Sequence, residues 1–245
     1  MDFGKEAIEK IEDLVKSSLV VNVDGKSYTA KNLTPVIFEP TATPITVSTL
    51  TGFVGFINQN IDKLDLSDGY ITVIDDVNAV RLCSALFDET RNREELLNAK
   101  LDENMEAFPF GDFLEQEDFT IKLHSLFEKK EGDDFDYVSS VVSKIVQSNS
   151  TETEDDGITQ HVTIRKGASG ALKETTAVKH IVKLSPYRTF REIEQVESQF
   201  LLRINTDNGK VRVALFEADG GAWRNEARTR IAEFLKDKIN TPVIA

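Results

Sequence analysis

Apolar residues recur with two different periods along this 245-residue chain, and the change of period limits the folds that it can adopt. In several segments before residue 147 the apolar positions follow the 3.6-residue spacing of helices that bury one face. After residue 157 apolar and polar residues mostly alternate, which is typical of strands. Strands and helices that cluster separately predict an α+β fold, with a largely antiparallel sheet and four to five amphipathic helices packed against it.

The spacing also predicts where the individual elements lie. Helices are expected at 3–18, 48–64, 112–128, after the acidic turn 131–134, and at 221–238. Strands are expected around 20–28, 70–75, 78–87, 93–101, 158–164, 178–184, 200–204 and 211–215. Ser48 is a candidate N-cap, and the pairs Asp24-Gly25 and Asn208-Gly209 favour hairpin turns.

A polar, acidic stretch at 148–156 contains no apolar anchor, and we predict that it is a loop or linker. It would separate an N-terminal α+β part, 1–147, from a C-terminal part, 157–245, made of antiparallel strands and a terminal helix. The two parts together are expected to form one compact unit, because 40% of the residues are hydrophobic and the chain has the length of one domain.

Charge and cysteine content narrow the possible partners and compartments. The formal net charge of −13 makes direct nucleic-acid binding unfavourable, because such a protein repels a phosphate backbone. The single cysteine, Cys83, excludes a disulfide within the chain, and we expect a reducing cytoplasm. The N-terminus lacks the pattern of a signal peptide, and no stretch approaches the roughly 18 apolar residues of a membrane span.

Sequence motifs for catalysis, cofactors and metals are missing. The chain has no Walker loop, dinucleotide fingerprint, HExxH, CxxC or GxSxG motif. Its three histidines are scattered, and the acidic clusters lack the spacing of a calcium loop. We therefore assign no catalytic residue, no metal site and no cofactor, and a non-enzymatic protein is favoured over an enzyme.

A strand followed by two glycines and a helix forms the most distinctive segment. Glu217, Asp219, Gly220, Gly221 and Trp223 are its candidate ligand-binding residues. Two glycines permit close approach of the backbone to a ligand, a helix N-terminus offers free N–H groups, and the indole offers a stacking surface. The alternative is a tight structural corner, in which the aspartate caps the helix and the tryptophan anchors it in the core.

A second candidate segment contains Tyr187, Arg188 and Phe190. An arginine between aromatic rings can hold a base by stacking and a phosphate through its planar fork. The alternative is a strand end whose arginine pairs with Glu192 or Glu194 across a turn.

Four stretches in a fixed order carry a family resemblance. They are 108–114 with 117–119, then 154–160, then 184–190 with 194–198, and finally 214–223, which reads Ala-Leu-Phe-Glu-Ala-Asp-Gly-Gly-Ala-Trp. Together they resemble the YfdQ-like family of phage and prophage proteins, weakly before residue 48 and best after residue 105. The chain departs from the family at Val196, where a proline is often found, and in the loop 166–174.

The resemblance implies a phage-encoded protein in the bacterial cytoplasm, from a family of uncharacterised function that supplies no catalytic residues. We expect a non-enzymatic binding protein that acts in counter-defence by sequestering a nucleotide-type signalling molecule. Sequestration needs many sites, so a homo-oligomer is expected. One alternative is an accessory protein of phage recombination or replication that acts through contacts with a host or phage protein, and another is a nucleotide hydrolase.

Overall fold

The structure, a computed structural model, describes residues 4–16, 20–23, 26–29, 42–66, 68–87, 91–102, 104–146, 150–155, 160–166, 172–207 and 210–245. The chain divides into two compact units, Met1–Thr41 and Ala42–Ala245. This division lies far from the stretch 148–156, where the sequence suggested a linker.

The described residues of the first unit form one helix and one pair of strands. Helix α1 spans Lys5–Lys16, and strands β1, Val20–Val23, and β2, Lys26–Thr29, pair antiparallel. The predicted turn between these strands, Asp24-Gly25, lies outside the described residues. Helix α1 has the predicted apolar face, and the side chains of that face are about half exposed.

The second unit contains the remaining elements in chain order. They are β3 Ile45–Val47, α2 Leu50–Gln59, β4 Ile71–Asp76, β5 Ala79–Cys83, β6 Glu95–Lys100, β7 Leu114–Glu115, α3 Gln116–Leu126, β8 Phe127–Glu128, α4 Phe135–Val146, β9 Ser150–Asp155, β10 Gln160–Lys166, β11 Leu172–Val178, β12 Ile181–Pro186, β13 Ser198–Asp207, β14 Lys210–Glu217, α5 Trp223–Lys236 and β15 Val243–Ile244. Within the described ranges, no helix is long and apolar enough to cross a membrane.

Two five-stranded sheets organise this unit. The first sheet has the order β15-β4-β5-β6-β3, antiparallel at its centre and parallel at both edges. Helices α2 and α5 contribute buried residues such as Phe53 and Leu235 to its core. The second sheet, β7-β14-β13-β12-β8, is antiparallel throughout, and α3 and α4 pack into its core through residues such as Phe119 and Val138. The predicted α+β fold with largely antiparallel sheets is confirmed.

The prediction that the acidic stretch 148–156 is a loop or linker is wrong for most of its length. Residues 150–155 form strand β9, which pairs antiparallel with β10, and β11 completes a third sheet in the order β11-β10-β9. Threonines alternate with acidic residues in β9, so the strand lacks the apolar alternation by which strands are recognised. Backbone pairing with β10 stabilises β9, and the side-chain pattern of β9 gives no sign of this pairing.

Helix α2 begins and ends differently from the prediction. Its N-cap is Thr49, whose hydroxyl oxygen accepts a hydrogen bond from the Gly52 N–H at 3.0 Å, rather than Ser48. Its C-cap is Asn60, which adopts a left-handed φ of 43° and exchanges side-chain hydrogen bonds with the Leu64 backbone. An asparagine that bonds locally competes with the helical backbone, which ends the helix before residue 64.

The segment 187–197 joins the two five-stranded sheets. The Tyr187 N–H donates to the Leu126 carbonyl at 2.8 Å, and the Thr189 hydroxyl donates to the Val77 carbonyl in the turn between β4 and β5. Inside the segment, the buried Gln195 side chain donates to the carbonyls of Phe190 and Ile193 at 3.0 and 3.1 Å. These bonds fix the position of the candidate residues that follow β12.

Candidate functional site

Arg188 lies at the centre of the candidate site, immediately after β12. Its Nη1 is 2.6 Å from Glu217 Oε1, and its Nη2 is 2.5 Å from Ser198 Oγ. The guanidinium carbon also lies 4.0 Å from the centre of the Trp223 ring and 5.4 Å from that of Phe200. Internal acceptors and aromatic rings therefore already hold the guanidinium on several sides.

Burial controls the electrostatics of this arginine. The Arg188 side chain is only 10% exposed, and burial lowers its pKa, while the charges of Glu217 and Asp219 oppose that shift. An arginine keeps its proton over the whole range in which proteins are folded, so the buried guanidinium stays charged and pairs with the partly exposed Glu217 carboxylate. The alternative interpretation, in which Arg188 pairs with Glu192 or Glu194, is wrong about the partner, because Arg188 pairs with Glu217 on β14.

The two-glycine corner has the backbone geometry that the sequence suggested. Gly220 and Gly221 have φ values of +63° and +81°, which lie in the left-handed region. Ala222 is the N-cap residue of α5 and makes no side-chain cap hydrogen bond. Asp219 acts in its place, because its Oδ1 accepts the Gly221 N–H at 3.0 Å.

Asp219 fills the helix N-terminus that an anionic ligand would otherwise use. Burial alone would raise its pKa, but hydrogen bonds from Gly221, Ser198 and Trp223 and the charge of Arg188 together lower the pKa. A phosphate at this end of α5 would meet a carboxylate already bonded to the same N–H groups. The corner is therefore the structural alternative described above, with Asp219 capping the helix end.

Trp223 and Phe190 are core residues. Trp223 is 7% exposed and packs with Val77, Val196 and Ala227. Phe190 is fully buried in the core of the first sheet, so it offers no surface to a ligand. The structure thus brings Arg188, Glu217, Asp219 and Trp223 together around Ser198, and places Phe190 in a separate cluster.

Tyr187 faces a different environment, a pocket of about 370 Å³ between the two five-stranded sheets. Apolar atoms of Ala79, Leu101 and Met105 line the pocket, and Arg188 also borders it. The Tyr187 ring carries the Arg191 guanidinium carbon 4.2 Å from its centre. Of the candidate residues predicted from sequence, only Tyr187 and Arg188 border this pocket.

The charged residues of the pocket are of both signs. Three carboxylates, Asp76, Asp102 and Glu106, and two cations, Lys100 and Arg188, lie in its lining, and Arg188 is already paired with Glu217. Asp76 pairs with Arg228 at 3.4 Å, and Glu106 pairs with Lys122. This lining suits a ligand that donates hydrogen bonds or carries positive charge better than it suits a polyphosphate.

Sequence reasoning missed Ser198 and the pocket residues from β4 to the loop after β6. Ser198 begins β13, and only the pairing of β12 with β13 places its hydroxyl beside Arg188. The pocket residues come from separate strands and loops and carry no shared motif. Within the described ranges, no group of three or more His, Cys, Asp or Glu side chains is placed to hold a metal ion.

No family model, no curated protein and no solved structure matches this chain. The resemblance to the YfdQ-like family therefore stays a prediction that rests on the four sequence stretches.

Proposed function

We propose that this chain is a phage-encoded, non-enzymatic binding protein that acts in the bacterial cytoplasm and retains a small molecule in the Tyr187 pocket. The pocket itself carries the proposal, because it has the volume of a small-ligand site and combines apolar walls with a few polar groups. Phage origin and compartment come from the sequence resemblance and the single buried cysteine.

The geometry changes which residues would hold a nucleotide-type signal. Arg188 has its Nη1 and Nη2 on Glu217 and Ser198, so its fork is not available for a phosphate. A base would stack against Tyr187, and Lys100, which already interacts within the protein, is the other cation of the lining. The three carboxylates of the lining favour the base end of such a ligand, or a different molecule that carries an amine.

Native mass spectrometry tests the proposal directly. The purified protein is measured before and after incubation with a deproteinised lysate of phage-infected cells with an active defence system. We expect a discrete gain in mass that is released intact on heating. The substitution Ala107→Trp fills the pocket from an exposed loop position and should abolish the gain, whereas Ala218→Trp, at an exposed alanine outside the pocket, should retain it.

Two further variants separate the ligand classes. A ligand held through phosphate should be lost from Lys100→Gln and kept by Asp102→Asn, and a cationic ligand should show the reverse. An unchanged spectrum of the wild-type protein, or a mass gain that survives Ala107→Trp, would overturn the proposal.

A second candidate function is that of an accessory protein in phage recombination or replication. The formal net charge of −13 favours it, because an acidic protein associates readily with a basic recombination enzyme. This function predicts a complex with a protein-sized mass gain, and it predicts that Ala107→Trp leaves that complex intact.

A further inference from the structure

Arg191 is an exposed cation that lies against the ring of Tyr187, a lining residue of the pocket. Its guanidinium carbon is 4.2 Å from the centre of that ring. A cation–π contact uses no hydrogen-bond acceptor, so the N–H donors of the guanidinium remain available to a ligand. Within the described part of the chain, no carboxylate pairs with the Arg191 side chain. The fold therefore leaves this charge open to an external anion.

The carboxylates that follow Arg191 in the sequence are bound to other groups. Glu192 Oε1 accepts the Thr51 N–H at the start of α2 at 3.2 Å. Glu194 pairs with Lys130 at 2.7 Å. Both acidic neighbours thus have partners of their own, and an anion that reaches Arg191 does not have to displace either of them.

The two cations of the pocket lining are occupied in the same way. Arg188 pairs with Glu217 at 2.6 Å, and Lys100 also interacts within the protein. Arg191 does not line the pocket itself, but only the Tyr187 ring separates its guanidinium from the lining. Among these three cations, Arg191 is the best placed to bind a negatively charged group of a ligand.

The backbone on both sides of Arg191 is held in place. Phe190 and Ile193 are buried, and the Gln195 side chain donates to both of their carbonyls, at 3.0 and 3.1 Å. A fixed backbone reduces the conformational entropy that is lost when a side chain binds a ligand. The position of Arg191 beside the Tyr187 ring is therefore prepared before a ligand arrives.

The pocket and Arg191 together offer both acceptors and a positive charge. Asp76 ends β4, Asp102 and Glu106 lie in the loop after β6, and all three are exposed. Tyr187 and Arg191 belong to the segment 187–197 instead. This arrangement suits a ligand that combines hydrogen-bond donors with a negative charge. A nucleotide whose base carries an amino group has both, because the amino group donates and the phosphate is anionic.

We propose that Arg191 determines the specificity of the pocket, by holding the phosphate of a nucleotide whose amino-bearing base packs against Tyr187. This inference rests on the proposed function and deepens it, because it names the ligand class and the anion contact. A planar guanidinium binds a phosphate through two parallel hydrogen bonds. A single phosphate group suits the site better than a polyphosphate, since the lining carries three carboxylates.

Equilibrium dialysis of the full chain against adenosine monophosphate (AMP) and adenosine tests the inference. The wild-type protein should bind AMP about ten-fold more tightly than adenosine, because only AMP carries the phosphate. Arg191→Gln should weaken AMP binding to the level of adenosine and leave adenosine binding unchanged, and Arg191→Lys should restore part of the difference. A merely structural role of Arg191 would weaken the binding of both probes equally.

Arg224→Gln is the matched control. Arg224 is also exposed, and its guanidinium carbon lies 5.1 Å from the centre of the Trp223 ring, but neither residue lines the pocket. The variant removes the same charge beside an aromatic ring and should leave the affinity for both probes unchanged. Added salt should weaken AMP binding by the wild-type protein more than by Arg191→Gln, because salt screens an exposed charge.

Three results would overturn the inference. They are no binding of AMP up to about 1 mM, equal wild-type affinities for AMP and adenosine, and equal loss of AMP affinity in Arg191→Gln and Arg224→Gln. Native mass spectrometry with the lysate separates this failure from that of the proposed function. A mass gain that Ala107→Trp abolishes and Arg191→Gln retains would leave the proposed function standing and overturn the role of Arg191.

Discussion

The guanidinium carbon of Arg188 lies 4.0 Å from the centre of the Trp223 ring, within the range of a cation–π contact. Arg188 follows strand β12 of the second sheet, whereas Trp223 begins α5, whose later residues pack in the core of the first sheet. The contact therefore links the two sheets. The same arginine pairs with the partly exposed Glu217, so a charged pair lies at the junction.

Substitution of Arg188 should destabilise the protein strongly. Arg188→Met keeps the length of the side chain but leaves Glu217 and the Ser198 hydroxyl without their cation. Because Glu217 is 38% exposed and can be partly hydrated, we expect the free energy of unfolding to fall by about 2–4 kcal/mol rather than more. Urea denaturation followed by tryptophan fluorescence measures the change.

A double-mutant cycle provides the control for that prediction. Glu217→Gln removes the charge of the partner and should cost about 1 kcal/mol, since an amide oxygen still accepts a hydrogen bond. The double variant should be at least about 1 kcal/mol more stable than the sum of the single effects predicts. Strict additivity would show that the two residues are not energetically coupled.

Acid should weaken the protein in part through Asp219. Its folded-state pKa lies below the ordinary value of 3.8, so its ionised form stabilises the fold. This stabilisation is complete above the unfolded-state pKa and is lost as the pH falls through the folded-state pKa, over about pH 5 to 2. Asp219→Asn should therefore show a shallower loss of stability over this range than the wild-type protein.

The measurement for Asp219 is thermal denaturation at a series of pH values. At pH 7 the variant should be less stable, because a neutral amide is a weaker acceptor for the Gly221 N–H than a carboxylate. Parallel curves for the two proteins below pH 5 would contradict the assigned role.

Two glycines should respond to alanine in opposite directions. Gly221 has a φ of +81°, and no atom lies within 4 Å of the position that a Cβ would take, so Gly221→Ala introduces backbone strain without a clash. We expect a loss of about 1 kcal/mol. Gly55 lies inside α2, where the nearest atom to a new Cβ is 3.9 Å away, and Gly55→Ala should gain about 0.5–1 kcal/mol.

Chemical denaturation of both alanine variants checks this contrast. Both replacements add one methyl group, so the opposite signs separate backbone conformation from side-chain size. Destabilisation by both would indicate that the close packing around α2, rather than helix propensity, dominates at Gly55.

Cys83 should be unreactive in the folded protein. Its side chain is buried, and burial raises the pKa of the thiol, which lowers the fraction of reactive thiolate. A coloured disulfide reagent at pH 8 should label no thiol rapidly until the protein is unfolded in guanidinium. Ile121→Cys places a thiol at a position that is 59% exposed and should react at once, which confirms that the reagent is active.

Periodicity alone predicted the elements whose buried side chains repeat regularly. Leu50, Phe53 and Ile57 are buried on one face of α2, and Ala227, Ile231 and Leu235 are buried on one face of α5, as their spacing indicates. Strand β9 was not predicted, because its side chains do not alternate between apolar and polar. The strand instead pairs through its backbone with β10. The predicted end of α2 at residue 64 was also wrong, because Asn60 ends the helix through local hydrogen bonds.

The sequence by itself determined that the stretch 215–223 is a strand, a corner with two glycines and a helix, because only glycine accepts the left-handed backbone there without strain. Only the tertiary structure decided the role of Arg188. Glu192 and Glu194 are its near neighbours in sequence, yet Glu217, 29 residues away, is its partner. Antiparallel pairing of β12 with β13 and of β13 with β14 brings Arg188, Ser198 and Glu217 side by side. The ion pair between Arg188 and Glu217 matters for stability because Arg188 is buried, and a buried charge without a partner is costly.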